Sequence, residues 1–439
     1  MSATARPPGE RVTAGALPGG DWLRRDSGGR LLADGIDLAS LADQFGTPLY
    51  VYSRSSIEAT CARFREALQG RNATLCYALK ANSNLAIIEV MGRLGCGFDI
   101  VSGGELERVI AAGGDPARVV FSGVGKTAEE MARGLEVGVR CFNVESPAEL
   151  ERLDAVAGRV GRVAPVSIRV NPDVDASTHP YISTGLKENK FGVSWETALP
   201  AYRRAAALRN IAVVGIDCHI GSQITEISPF LGALDRVMEM VQALRREGII
   251  LRHIDLGGGL GIRYSDEEPP EPKLLMDALF RRIGQLCEGD PPEVMFEFGR
   301  ALVGNAGLLL TRVEYLKNNQ DKHFAVVDAA MNDLIRPALY DAFHRIEPVA
   351  RREGEPRRYD VVGPICESGD WLARDRALTI AQGDLLAILS AGAYGFAMAS
   401  NYNSRPRAAE VLIDRGSAYP VRERESIADL LRADRRLRD

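Results

Sequence analysis

Short apolar runs recur along this chain, each followed by an amphipathic stretch of helical period, and this alternation limits the possible fold more than any other feature. Strand-like runs end near Ala78, Val101, Ser122, Val144, Val170, His219, Leu256 and Phe298, with helical patterns such as Ala86 to Leu94, Gly104 to Ala112 and Phe230 to Arg246 between them. Eight such units over roughly 250 residues are the size of a (β/α)8 TIM barrel, whose active site lies at the strand C-termini. A doubly wound open sheet would produce the same alternation. The count of eight, and the lack of a GxGxxG fingerprint after the first strand, favour the barrel.

Beyond about residue 308 the pattern changes to strand-like runs separated by turn residues: Leu308 to Tyr315, His323 to Val327, Tyr359 to Val362, Leu385 to Leu389 and Ala409 to Ile413. This predicts a second, mostly β domain of sandwich or barrel type. Short runs between Gly20 and Phe45 add to it, so the expected division is a disordered tail over 1–20, a β domain from 21–47 with 309–439, and a barrel over 48–308. With 46% hydrophobic residues the chain can bury cores for both. A formal charge of -5 without long blocks of one sign points away from nucleic acid and anionic membranes and toward small metabolites. The seven cysteines are odd in number, scattered and form no CxxC pair, which argues for a reducing compartment and against a disulfide framework or a zinc site, and no metal is expected. Met1 to Gly20 lacks the apolar core of a secretory signal, and no stretch is long and apolar enough to span a bilayer; a cytoplasmic protein is expected.

Candidate chemistry falls where a barrel would gather it. Lys80, in Tyr77-Ala78-Leu79-Lys80-Ala81-Asn82, ends the first strand beside small residues that leave its amine accessible. A lysine there is able to form a Schiff base with an aldehyde, although a snorkelling lysine at a barrel mouth is the blander reading. After the seventh strand comes Gly257-Gly258-Gly259, and after the eighth Glu297-Phe298-Gly299-Arg300, in the two loops that commonly cradle phosphate in this fold. Glycines let backbone N–H groups approach phosphate oxygens, though most glycine runs are only flexible turns. The sixth strand ends in His219-Ile220-Gly221-Ser222-Gln223, which presents an imidazole and a hydroxyl to the same mouth; a lone histidine in such a run is more often structural. A carboxylate such as Glu297 beside a pyridine nitrogen would keep the ring protonated, and the same residue would equally pair with nearby Arg300.

Together with Arg336-Pro337-Ala338-Leu339-Tyr340, Cys366-Glu367-Ser368-Gly369-Asp370 and Gly392-Ala393-Tyr394-Gly395, these motifs resemble the fold-type III pyridoxal phosphate decarboxylases with the alanine racemase-like barrel, and the diaminopimelate decarboxylase family most closely. The resemblance runs from Leu49 to about Ile413. It implies that Lys80 holds pyridoxal 5'-phosphate, that His219 stacks on its ring, and that Glu297 contacts the pyridinium nitrogen. Ser222, Gly257, Gly258, Gly259, the backbone at Gly299 and Arg300, and the Tyr394 hydroxyl would hold the phosphate. Arg300, Arg336 and Tyr340 would bind the distal carboxylate of the substrate, with Tyr394 beside them, and Glu367 its distal ammonium. Cys366 would return a proton after carbon dioxide leaves, with Cys366 and Glu367 reaching the site from the partner subunit of a homodimer. His179 to Gly192 resembles the family's mobile loop.

The implied reaction is decarboxylation of meso-2,6-diaminopimelate to L-lysine, the last step of lysine biosynthesis. Ornithine, arginine and carboxynorspermidine decarboxylases share the scaffold, but a basic distal group does not need Arg300 and Arg336 together, and the ornithine enzymes tend to carry Asp where this chain has Glu367. An alanine racemase would favour Arg in place of Glu297 and would lack the Cys366 motif. A non-catalytic relative would be expected to lack Lys80, Cys366 or the second domain. One departure is Phe298, where the family usually has proline.

Overall fold

The computed structural model describes residues 17–174, 190–287, 289–319 and 322–437. Eight parallel strands close into a barrel in sequence order: Ala73–Ala78, Gly97–Ile100, Val119–Phe121, Cys141–Val144, Ala164–Arg169, Ile211–Asp217, His253–Asp255 and Glu293–Phe298. The ring is completed by the eighth strand pairing with the first, Glu297 opposite Cys76 and Phe298 opposite Tyr77. Each strand end lies within two residues of its expected position. The helices begin and end close to expectation as well, at Leu85–Arg93, Gly103–Ala111 and Ser228–Arg246.

Alternation along the strands sorts their side chains into two populations. Phe296 and Phe298 point outward to the helices, Phe298 lying 4.8 Å from the Phe64 ring and Phe296 6.4 Å from Phe280. Their neighbours Met295 and Glu297 therefore point into the barrel. Cys76, Val120, Cys141, Val214 and Met295 make a small apolar cluster of their own inside the ring. One residue pair further toward the C-terminal mouth the inward layer turns polar, with Asp99, Ser122, Asn143, Arg169, Asp217, Asp255 and Glu297 all buried. A polar layer at this depth is the floor of a site, because buried charge is retained only where it is paired or used.

The β domain is built on the long strand Gly307–Asn319, which pairs antiparallel with Leu49–Ser53, Lys322–Val327 and Leu385–Ile388. Ala409–Asp414 joins Leu49–Ser53 in parallel, so the expected barrel start at residue 48 moves: Leu49–Ser53 is a strand of the β domain and reads as fully buried because both its faces are covered. We propose the division as a barrel over 54–306, with 17–53 and 307–437 forming the other unit. Trp371–Leu378 and Ser417–Arg422 are strands that the sequence pattern does not announce. Both are outer strands paired on one side, and the charges of the first and the Ser417 and Pro420 of the second suit a solvent-facing edge. Of the expected tail, 1–16 lies outside the described residues. Leu17 to Gly20 instead form a turn, with the Gly20 N–H on the Leu17 carbonyl, and Trp22 is buried with its Nε1–H on the Asn305 carbonyl at 3.0 Å. Among the described residues, no helix is long and apolar enough to cross a membrane.

Candidate active site

Lys80 sits in a single 3-10 turn, Leu79–Ala81, immediately after the first barrel strand. That turn is braced on its far side: the Tyr77 hydroxyl donates to the Asn82 carbonyl at 2.7 Å, Asn82 Nδ2 donates to the Gly392 carbonyl at 3.1 Å, and the Tyr394 N–H donates to the Ala81 carbonyl at 2.7 Å. Both domains thus fix the backbone that carries the amine. Lys80 Nζ lies 2.8 Å from Asp99 Oδ2. Burial disfavours its charge, but the carboxylates of Asp99 and Glu297 outweigh that and hold the ammonium above its ordinary range. A third of the side chain stays exposed, so the amine opens to the mouth.

Behind it, Asp217, Asp255 and Glu297 each place an oxygen within 4.8 Å of the others. Their spacing would admit a cation; Lys80 and Arg169 already bring positive charge to the layer, Arg169 reaching Asp217 at 3.8 Å and Glu145 at 3.2 Å. Burial first, and then mutual repulsion with Asp255, Asp99 and Asp217, pushes the Glu297 carboxyl well above the usual range. Burial likewise raises Asp255 to about 6. Glu297 Oε1 and Asp255 Oδ2 are buried without a hydrogen-bond partner. An acid layer with unused acceptors is suited to an N–H donor from a bound ring, since an unsatisfied buried acceptor costs about 1–3 kcal/mol.

The loops after strands seven and eight are locked together. A Cβ on Gly258 would stand 2.2 Å from the Glu297 carbonyl oxygen, and one on Gly299 would stand 2.8 Å from Ala81 Cβ. Glycine is therefore required at both by close approach, and the strand-eight loop is pressed onto the Lys80 turn. His219 lies over the glycine loop, its Nδ1 accepting the Gly221 N–H at 3.2 Å. Burial, aided by the charges of Lys80 and Arg169, holds the imidazole well below its usual range and so neutral. Ser222 Oγ accepts from Arg300 Nε at 3.2 Å and Nη2 at 3.0 Å, while the Arg300 guanidinium lies 4.8 Å from the Tyr394 ring centre.

Beside this mouth a cavity of about 150 Å³ is lined by Gln223, Tyr264, Glu267, Arg300, Arg336, Tyr340, Ala342 and Phe343, with Glu267 Oε2 accepting the Tyr264 and Ser265 N–H groups at 2.9 and 2.7 Å. Arg300 and Arg336 are both buried, and among the described residues neither forms an ion pair. Arg300 Nη1 donates to the Tyr264 hydroxyl at 2.6 Å, Arg336 lies 4.7 Å from the centre of the same ring, and Arg336 Nε is buried without a partner. A larger concavity of about 590 Å³ lies on the β domain among Lys322, His323, Arg357, Arg358 and Arg374; its charges are partly paired with Asp360 and Asp375, and it shares no residue with the barrel mouth.

Residues 54–304 match the family model described as the pyridoxal-dependent decarboxylase, pyridoxal binding domain. The chain is 60% identical over 400 residues to the diaminopimelate decarboxylase of Pseudomonas aeruginosa, covering 91% of this chain and 95% of that one. The chain belongs to the diaminopimelate decarboxylase family. It is also 54% identical to the Vibrio cholerae enzyme of that name, over 93% of this chain and 98% of the relative. The crystal structure of the M. jannaschii diaminopimelate decarboxylase in complex with L-lysine superposes with a TM-score of 0.91 at 41% identity, covering 96% of this chain and 99% of that one. The family's pyridoxal phosphate is accordingly the cofactor here, and the free acceptors of the acid layer, the glycine loop and the Lys80 amine all fit it.

Lys80, His219, Ser222, Gly257 to Gly259, Glu297, Gly299, Arg300, Arg336, Tyr340 and Tyr394 are thus gathered around the mouth and its side cavity. Cys366 and Glu367 are not. Both are exposed on the β domain, where the Cys366 N–H donates to Asn403 Oδ1 at 3.0 Å and the Glu367 carboxylate accepts from the Tyr402 hydroxyl. Of the expected mobile loop, 179–189 lies outside the described residues; Gly192 donates its N–H to Glu145 Oε2 at 3.0 Å, and Phe191 lies under Arg169 at 4.8 Å. Sequence reasoning missed Asp99, Arg169, Asp255, Tyr264 and His344. The first three were open to discovery, since each lies at or one residue before the end of a barrel strand on the inward phase; Tyr264 and His344 lie in loops without a periodic signal.

Proposed function

We propose that this chain decarboxylates meso-2,6-diaminopimelate at its D centre to give L-lysine and carbon dioxide. The observation that carries the reading is the pair of buried guanidiniums, Arg300 and Arg336, which face one small cavity and, among the described residues, form no ion pair; Glu267 of the same lining accepts instead from the Tyr264 and Ser265 N–H groups. Two buried cations in one pocket repel each other and need an anion. A substrate with a second carboxylate supplies it, whereas ornithine, arginine and lysine end in a cation.

Pyridoxal phosphate, when bound, supplies the electron sink for the pair left behind by the departing carboxylate. The protein's part is to hold and orient. Lys80 Nζ anchors the cofactor, with Asp99 Oδ2 at 2.8 Å as the acceptor for the proton it must shed. Glu297 Oε1 would accept the N–H of the cofactor ring, and neutral His219 would cover that ring without adding charge. Ser222, the glycine loop and the backbone at Gly299 and Arg300 would take the phosphate together with the Tyr394 hydroxyl. Arg336, Arg300 and Tyr340 hold the distal carboxylate and so fix which end of the substrate reaches Lys80. The test is carbon dioxide release from meso-diaminopimelate against L-ornithine, L-lysine and L-arginine; preference for any of the last three overturns the substrate.

Cys366 is the proton donor to the carbon that loses carbon dioxide, and Glu367 receives the distal ammonium. Their exposure, away from the mouth of their own chain, supports a homodimer in which each β domain completes the partner's site. Lys80→Ala and Cys366→Ala homodimers should each be nearly inactive. Equal mixing gives heterodimers in half the population, each with one intact site, so activity should return to about a quarter of wild type. Mass-verified heterodimers as inactive as their parents would place the site within one chain. The scattered, odd-numbered cysteines support a reducing, cytoplasmic setting.

A further inference from the structure

We propose that His344 is a positioning residue that aims Arg336 at the distal carboxylate without neutralising it, and so sets the preference for a substrate carrying that group. The inference rests on the function proposed above. His344 is fully buried, with Nδ1 2.8 Å from the Leu389 carbonyl and Nε2 2.8 Å from Arg336 Nη1. A carbonyl oxygen only accepts, so Nδ1 carries the proton and the Nε2 lone pair must accept from the guanidinium. Burial, together with the neighbouring charge of Arg336, keeps the imidazole neutral. The ring is fixed in turn: it stands edge-on to Tyr264, at 79° and 5.2 Å, and Leu389 is tied back by its N–H on the Arg345 carbonyl at 2.8 Å.

The choice of acceptor is what matters chemically. A carboxylate at this position would orient Arg336 equally well, but it would cancel the charge and compete with the substrate for the same N–H groups. A neutral imidazole takes one N–H, from Nη1, and leaves the positive charge for the ligand. Tyr264 does the same from the other side, giving a ring face to Arg336 and a hydroxyl to Arg300. The hydrogen-bond and ring partners of the two cations described above are therefore uncharged, with Glu267 of the same cavity accepting from the Tyr264 and Ser265 N–H groups, while ion pairs are plentiful elsewhere on the protein.

The experiment compares kcat/KM for meso-diaminopimelate and for D-lysine, which is the same molecule without the distal carboxylate, in the dimeric holoenzyme. His344→Leu should lower the diaminopimelate value at least tenfold, mainly through KM, and leave the D-lysine value within twofold. His344→Gln, a neutral acceptor, should recover to within about threefold of wild type; His344→Glu, a charged one, should not. Equal loss on both substrates in His344→Leu, or equal behaviour of the Gln and Glu variants, would overturn the proposal. If His344→Leu does not fold, the Gln and Glu pair alone decides. Arg336→Leu separates the two readings. If it leaves the ratio of the two substrates unchanged, the proposed function fails; if it collapses the ratio while the His344 variants keep it, the role of His344 fails.

Discussion

Asp333 gives a pH dependence whose sign and size follow from its surroundings. It lies three residues before Arg336, in the turn that leads into the short helix Arg336–Tyr340, and its Oδ2 accepts the Ala330 N–H at 3.0 Å. It is 1% exposed, and its nearest cation, Arg405, stands 4.0 Å away. Burial outweighs both partners and raises the carboxyl from 3.8 to about 7. The folded protein thus keeps a proton that the unfolded chain releases, so stability falls as pH rises from about 4 to about 7 and is level above. The full difference is on the order of 4 kcal/mol, with about 2 kcal/mol of it arising between pH 5 and 7. Asp333→Asn keeps the acceptor for Ala330 and removes the titration. Urea unfolding of both proteins at pH 5, 6, 7 and 8, followed by tryptophan fluorescence, should show the variant gaining on wild type up to pH 7 and then holding its lead. Shifts from other groups cancel in the difference. A gap independent of pH, or a variant less stable than wild type at pH 8, would refute the argument that burial governs this carboxyl.

Borohydride reduction of the holoenzyme should fix the cofactor covalently to Lys80 and to no other lysine, read by peptide mass spectrometry, and Lys80→Ala should show no adduct; labelling elsewhere would remove Lys80 from its assigned role. Gly258→Ala forces a methyl group to within 2.2 Å of the Glu297 carbonyl oxygen, so strand eight must shift, with a loss of about 1–3 kcal/mol in thermal unfolding and weaker retention of the cofactor on dialysis. Gly284→Ala, in the helix Pro272–Leu286 with open space around it, is the control and should leave stability unchanged or raise it by up to about 1 kcal/mol. If the two glycine variants behave alike, close packing is not the reason for Gly258.

The barrel was legible because its signal repeats: eight strands, each with its helix, average out errors of a residue or two at any single boundary. The β domain was only half legible. Gly307–Asn319 and Ala409–Asp414 stand out because they are central and apolar, whereas Trp371–Leu378 breaks its alternation at the exposed pair Arg374 and Asp375, the latter at positive φ, and so looks like a loop. The sequence pattern does not show which sheet Leu49–Ser53 joins, for a physical reason. A buried strand looks the same whichever sheet it joins, and only the pairing with Gly307–Asn319, some 250 residues away, decides its partner. Lys80, Glu297 and Arg300 could be read as candidate site residues because each ends or follows a strand at the mouth. Cys366 and Glu367 lie on a loop of the β domain, and no periodicity connects that loop to the barrel.

The alternation of inward and outward residues fixes the polar layer as well as the core. Once Glu297 is placed inward, the strand period fixes Met295 inward and Phe296 and Phe298 outward, and the same counting places Asp99, Arg169, Asp217 and Asp255 in one layer with Glu297. The acid floor beneath the barrel mouth is thus a consequence of register, set by the same phase that fills the lower barrel with Cys76, Val120, Cys141 and Met295. It also settles the place of Phe298. Its ring stacks on Phe296 at 5.7 Å and 9°, and both rings face the helices that wrap the barrel. The loop that carries Gly299 and Arg300 is therefore held from outside by aromatic packing and from inside by the contact of Gly299 with Ala81, so a proline is not needed there to keep Glu297 and Arg300 in register with Lys80.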